Sequence, residues 1–154
     1  MANYGNVVID DNKYVGILKS ASDDVQNGDF VVPDWSAGTA AVTAGDNIGE
    51  VMFVRNELNE PAERAISDGD FDMDTGDYLR LKTLHNGMIL ETTAIASTYA
   101  NVSVDDEMGC VAGELALAAD TTLTSLATFK YTFVVMEKFS MYGTDAVRVW
   151  IRVK

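Results

Sequence analysis

Ala146-Val147-Arg148-Val149-Trp150-Ile151-Arg152-Val153-Lys154 alternates apolar and polar residues, so Val147, Val149, Ile151 and Val153 share one face and Arg148, Trp150, Arg152 and Lys154 the other. This is a strand with one face in a core and the other in water. Upstream, Phe129-Lys130-Tyr131-Thr132-Phe133-Val134-Val135-Met136 is dense in β-formers, and Met141-Tyr142-Gly143-Thr144-Asp145 supplies turn residues. The two strands are expected to pair as a hairpin.

The same signal recurs toward the N-terminus. Tyr78-Leu79-Arg80-Leu81-Lys82-Thr83-Leu84 and Met88-Ile89-Leu90-Glu91-Thr92-Thr93 flank His85-Asn86-Gly87. Asn-Gly accepts positive φ at both central positions of the tightest hairpin turns, which predicts a second hairpin here. Further strands are read at Tyr14 to Leu18, Phe30 to Val32, Gly49 to Val54 and Cys110 to Leu117. Asn59 to Ile66, with Pro61 near its start, reads either as one helical turn or as a loop. Gly-Asp precedes several strands (Gly28-Asp29, Gly45-Asp46, Gly69-Asp70, Gly76-Asp77), the glycine taking a left-handed turn position and the aspartate bonding back to turn amides. About eight short strands and no sustained helical period predict an all-β, single-domain sandwich or small barrel of mostly antiparallel strands with an extended N-terminal arm. Residues 1–12 form that arm or an edge strand, and 13–154 a single β domain.

The charge narrows the function. Twenty-four carboxylates against 11 basic residues give −13 and a pI near 4.2, which repels nucleic-acid phosphate and anionic membranes. Neither nucleic acid nor membrane is expected as a partner, and no apolar run reaches the length of a spanning helix. Met1-Ala2-Asn3-Tyr4-Gly5-Asn6 lacks the basic and apolar stretches of a signal peptide, so synthesis in the cytoplasm is expected.

Chemistry-bearing residues are sparse. Cys110, the single cysteine, lies in apolar Met108-Gly109-Cys110-Val111-Ala112 and reads as a core residue. His85 is the single histidine and reads as an exposed turn residue. Asp68-Gly69-Asp70-Phe71-Asp72-Met73-Asp74-Thr75-Gly76-Asp77 spaces carboxylates as a calcium loop might. Counted from Asp70, however, Thr75 stands where the loop needs glycine and Leu81 where it needs glutamate, so a solvated acidic turn is expected instead. No nucleophile elbow or phosphate loop occurs. The expectation is a protein with no enzymatic activity, metal or cofactor.

Candidate interface residues are the apolar N-terminal run with Tyr4, Val7, Val8 and Ile9, and the two tryptophans. The run either adds to a neighbour's sheet or is an edge strand of its own. Trp35, in Val32-Pro33-Asp34-Trp35-Ser36-Ala37-Gly38, either contacts a partner or closes one end of the core. Trp150 is either stacked by Arg148 or Arg152 or covered by another subunit.

In Tyr4-Gly5-Asn6-Val7-Val8-Ile9, Asn27-Gly28-Asp29-Phe30-Val31-Val32, Tyr131-Thr132-Phe133-Val134-Val135-Met136-Glu137 and Ala146-Val147-Arg148-Val149-Trp150-Ile151, the chain resembles the small head-decoration, or cement, proteins of tailed bacteriophages. The resemblance implies a structural β domain that docks on the major capsid protein lattice at the outer surface of the virion. There it would stabilise the shell against packaged DNA, often as a trimer or other homo-oligomer. Competing readings are a carbohydrate-binding or adhesin-like module using Trp35, Tyr99 or Tyr142, a tail or baseplate component, and a hydrolase, which would need a raised carboxylate pKa in a cleft.

Overall fold

A computed structural model of the chain describes residues 3, 5–9, 14–55, 72–120 and 125–154. Its longest strands are β13 (Tyr131–Met141) and β14 (Thr144–Val153), paired antiparallel as expected. Val147, Val149 and Ile151 are fully buried, while Arg152 and Lys154 are exposed. Tyr142 and Gly143, which join the strands, both have positive φ (51° and 81°), and that primed turn matches the strand twist. On its other side β14 pairs with β10 (Ile89–Thr92), and β10 with β1 (Gly5–Ile9). Beyond β13 come β11 (Glu107–Val111) and β12 (Glu114–Leu117), giving the order β1-β10-β14-β13-β11-β12. The β12 edge is covered, because Ala96 N donates to Leu115 O (2.8 Å) and Leu115 N to Ala94 O (2.9 Å).

The second sheet runs β2 (Tyr14–Val15), β9 (Leu81–Thr83), β7 (Met52–Val54), β5 (Phe30–Asp34), β6 (Thr39–Ala41), β3 (Lys19–Ser20). Its edges β2 and β3 are successive stretches of one segment. Lys19 bridges to Tyr78, Leu79 N donates to Leu18 O (3.0 Å) and Ser20 N to Asp77 O (2.7 Å), so the sheet curls until its edges meet. Leu18, Val31, Ala40, Met52, Val54, Leu79 and Leu81 fill the interior of this small barrel. A ribbon of β4 (Val25–Gln26) and β8 (Asp72–Met73) adds Val25 and Met73 to it. Every named strand pairing is antiparallel except β3 with β6.

The two layers share β5 and β7. Val31, Met52 and Val54 point into the barrel, whereas Phe30 and Phe53 point out of it into the larger core with Leu90, Phe133 and Val149. Phe30 lies 5.3 Å from Phe53 and 5.1 Å, edge-on, from Phe133. Burial on both faces explains why Phe30-Val31-Val32 and Val51-Met52-Phe53-Val54 are unbroken apolar runs and not alternating ones.

Two sequence expectations are corrected. The turn at His85 to Met88 forms (Met88 N to His85 O, 3.1 Å), but β9 and β10 enter different sheets and do not pair. Only Gly87 has positive φ (83°), a type II geometry that splays the flanking strands where a hairpin needs both central residues left-handed. The segment Cys110 to Leu117 is two strands, folded back at Ala112-Gly113 (φ 49° and 81°). The segment 59–66 lies outside the described residues.

β1 is an edge strand of the chain's own sheet, and half-buried Val7 packs on the larger core. Gly5 lies so close to the Gly28 backbone and the Phe53 ring that a methyl group there would overlap both. Gly5→Ala is therefore expected to cost about 2–3 kcal/mol of stability by overpacking, read as a lower urea midpoint. A free arm at residues 5–9 would leave the midpoint unchanged.

Candidate interaction surface

The sequence candidates do not gather in one place. Tyr4 lies outside the described residues, and Val8 and Ile9 are described as β1 backbone only. Trp150 is half-buried on the outward face of the larger sheet with the Arg152 guanidinium 5.1 Å from its ring, so stacking within the sheet accounts for it. Beside it Arg148 binds Glu91 (2.6 Å) and Glu137 (2.5 Å), and Arg152 and Lys154 share Glu107, making this face a set of internally paired charges. Trp35 sits at the tip of the β5–β6 turn, 51% exposed. Asp34 holds that turn by accepting from Ser36 N, Ser36 Oγ and Ala37 N, and these bonds lower its pKa.

Register draws a row across the barrel that starts next to Trp35 and ends at an unforeseen residue, Tyr78. Asp34 pairs with Thr39, Thr39 with Lys19, and Lys19 with Tyr78, a row of side chains on the outside of the barrel. Lys19 N donates to Gly38 O (3.1 Å), which ties the Trp35 turn to this row, and the Lys19 amine lies 5.0 Å from the Tyr78 ring. Ile17, two residues from Lys19, is 72% exposed and Tyr78 61%. Ile17, Trp35 and Tyr78 are thus three large apolar side chains standing in water on the outside of the barrel, Trp35 at one end of the row and Tyr78 at the other.

The other candidates are accounted for inside the fold. Cys110 is buried, its thiol donating to Asn47 Oδ1 (3.4 Å), and burial pushes its pKa up to about 12. His85 is half-buried, with Nε2 3.1 Å from Thr83 Oγ1. Among the described residues no three His, Cys, Asp or Glu side chains are arranged to hold a metal ion. Asp68 to Phe71 lie outside them. Asp72, Asp74 and Asp77 are exposed, with Asp23 bound to Thr75 (2.6 Å). A hollow of about 350 Å³ lies between Gly5, Arg55 and Tyr142, and another of about 190 Å³ between Asn3, Glu114 and Asp145. Neither sets a serine or cysteine beside a histidine. No described helix is long and apolar enough to cross a membrane.

Asp29 is the carboxylate a hydrolase reading would ask for, because burial raises its pKa to about 6 despite hydrogen bonds that oppose the shift, and the charge of Glu114 adds to it. Both oxygens are occupied, however. Oδ1 accepts from Asn3 Nδ2 (2.7 Å) and Oδ2 from Gln26 N (2.9 Å), while Asn3 N donates to Gln26 Oε1 (2.7 Å). Asp29 is a clamp between the N-terminal segment and the β4–β5 turn. No family model, curated protein or solved structure matches this chain.

Two solution tests follow from these groups. Folding raises the Asp29 pKa from 3.8 to about 6, so its contribution is intact below about pH 4. That contribution is lost as pH rises through 6, at a cost on the order of 2–3 kcal/mol once ionised. Asp29→Asn, which mimics the neutral acid, should gain stability relative to wild type in urea melts between pH 4 and 7.5. A pH-independent difference would remove the shift. Cys110 should resist iodoacetamide at pH 8 in the native protein and react in urea; rapid native labelling would contradict its burial.

Proposed function

We propose that this protein is a structural binding domain that docks on the major capsid protein lattice of a phage, decorating and stabilising the outer surface of the virion after synthesis in the host cytoplasm. The observation that supports a docking role is the exposure of three large apolar side chains, Ile17, Trp35 and Tyr78, on the outside of the barrel. These rings and branched carbons gain free energy when a partner removes them from water. The resemblance in sequence supplies the capsid as partner and homo-oligomerisation as the mode of attachment. Many copies on a repeating lattice convert modest single contacts into avidity, which suits a domain that presents a small apolar face and otherwise paired or solvated charge.

A carbohydrate-binding role has less support. Tyr99 donates its hydroxyl to Phe139 O and Ala146 O, and the Lys138 amine sits 4.4 Å from its ring, so that face is not free for a sugar. Trp35 and Tyr142 stand at the tips of hairpins in different sheets.

Quantitative mass spectrometry of purified particles should find this chain near-stoichiometric with the most abundant shell protein. A few copies per particle would point to tail or baseplate, and absence would sink the virion reading. Trp35→Ala and Tyr78→Ala should each shift stability by less than about 1 kcal/mol, as exposed sites do, and each should reduce attachment to stripped particles at least tenfold. Full attachment by both variants would exclude this surface.

A further inference from the structure

The pair Asn-Gly stands at Asn27-Gly28 and again at Asn86-Gly87, and the fold places both in the same kind of turn. Asp29 N donates to Gln26 O (3.2 Å) across the first and Met88 N to His85 O (3.1 Å) across the second, and in each only the glycine is left-handed (φ 95° and 83°). Each glycine N–H is also tied to a strand from elsewhere in the chain, Gly28 N to Val54 O (2.9 Å) and Gly87 N to Ile151 O (2.7 Å).

This pair has a chemistry of its own. Because glycine has no side chain to obstruct the approach, its nitrogen can attack the asparagine Cγ. The new N–Cγ bond forms, the Cγ–Nδ2 bond breaks, and the side-chain nitrogen leaves as ammonia with the proton given up by the glycine amide. Water then adds to either carbonyl of the cyclic imide and opens it to aspartate or isoaspartate. An amide whose N–H is held by a strand carbonyl keeps its proton and is not turned toward Cγ, so each turn reacts only as it opens.

What differs is what opening breaks. Asn27 is fully buried, Gly28 O accepts from Thr92 Oγ1 (2.9 Å), and Gly5 of β1 packs directly on the Gly28 backbone, so this turn comes free only with the strands around it. Asn86 and Gly87 are exposed. Their turn is fastened to the end of β14 by the Gly87 bond and by Asn86 Oδ1, which accepts from Val153 N (3.1 Å). Lifting the tip breaks these bonds while Leu84 and Met88 on either side stay buried.

We infer that Asn86 is a site of spontaneous deamidation gated by the lifting of its turn from the end of β14, while Asn27, in the matching turn, is held unreactive until the chain unfolds. The isoaspartate product adds a methylene to the backbone and carries Gly87 N away from Ile151 O, so each conversion leaves an irreversible mark on the end of β14.

The full chain, incubated in mildly alkaline buffer with and without denaturing urea, is followed at both asparagines by peptide mapping for the mass gain of an amide turned into an acid. In urea the two should convert within about threefold of each other, both being Asn-Gly in an open chain. In buffer Asn86 should convert at least about tenfold faster than Asn27 and at least about threefold slower than it does in urea. Val153→Pro removes the donor to Asn86 Oδ1 and should speed Asn86 in buffer about threefold or more, with Asn27 unchanged. If that variant fails to fold, hydrogen exchange in the wild-type protein decides, the Gly87 amide exchanging at least about tenfold faster than that of Gly28. Equal exchange of the two amides, an Asn86 that converts no faster than Asn27 in buffer, or an Asn86 that converts as fast in buffer as in urea would each overturn the inference.

Discussion

The ring of Phe30, set between Phe53 of the barrel and Phe133 of the larger sheet, is the contact through which two β layers share one core. It requires β5 to be apolar on both faces, Val31 filling the barrel while Phe30 fills the space outside it. β7 obeys the same constraint with Met52 and Val54 inside and Phe53 outside. Truncating such a ring removes more than its own contact area, because the gap opens on both layers at once. Around these two strands the barrel closes at Lys19 and Tyr78, where backbone hydrogen bonds from Leu79 N to Leu18 O and from Ser20 N to Asp77 O hold the register and the Lys19 amine lies over the Tyr78 ring.

Strands exposed on one face were legible. The alternation of Val147 to Val153 gave the orientation of β14, and Tyr142-Gly143 marked the turn before it. What failed was local chemistry open to two geometries. Asn86-Gly87 suits a primed hairpin turn and also a type II turn, and the choice was made by Leu84 and Met88, both buried in the larger core, and by Gly87 N bonding to Ile151 O (2.7 Å). Ala112 carries no turn signal, since alanine is disfavoured at positive φ, and its hairpin is held by pairing of β11 with β12 and by the Asn47 amide oxygen accepting from Gly113 N. The closure of the second sheet was illegible because β2, β3, β6 and β9 are two or three residues each, too short to show a period.

For the surface, Trp35 could be singled out as a large ring among turn formers, but Ile17 and Tyr78 looked like ordinary strand residues. They are separated by 61 positions and become neighbours only through the pairing of Lys19 with Tyr78. Trp150 had the opposite fate: of the two arginines that made it conspicuous in the sequence, Arg152 is what satisfies it. The N-terminal run was read as arm or edge, and Asn3, bound to Asp29 and Gln26, supports the strand by anchoring the residues before it.

The sheet order carries a consequence for how the chain reaches its native state. β10 lies between β1 and β14, so its neighbours come from positions far before and far after it, and β13 and β14 form the centre of the sheet although they come last in sequence. During synthesis the ribosome has to release residues 144–153 before the apolar faces of β10 and β13 have their shared partner. Loop closures of this length are slow, and unpaired strands are sticky while they wait. Formation of the larger sheet therefore waits on its most distant closures, and an excess of carboxylates sets like-charged copies apart through that interval.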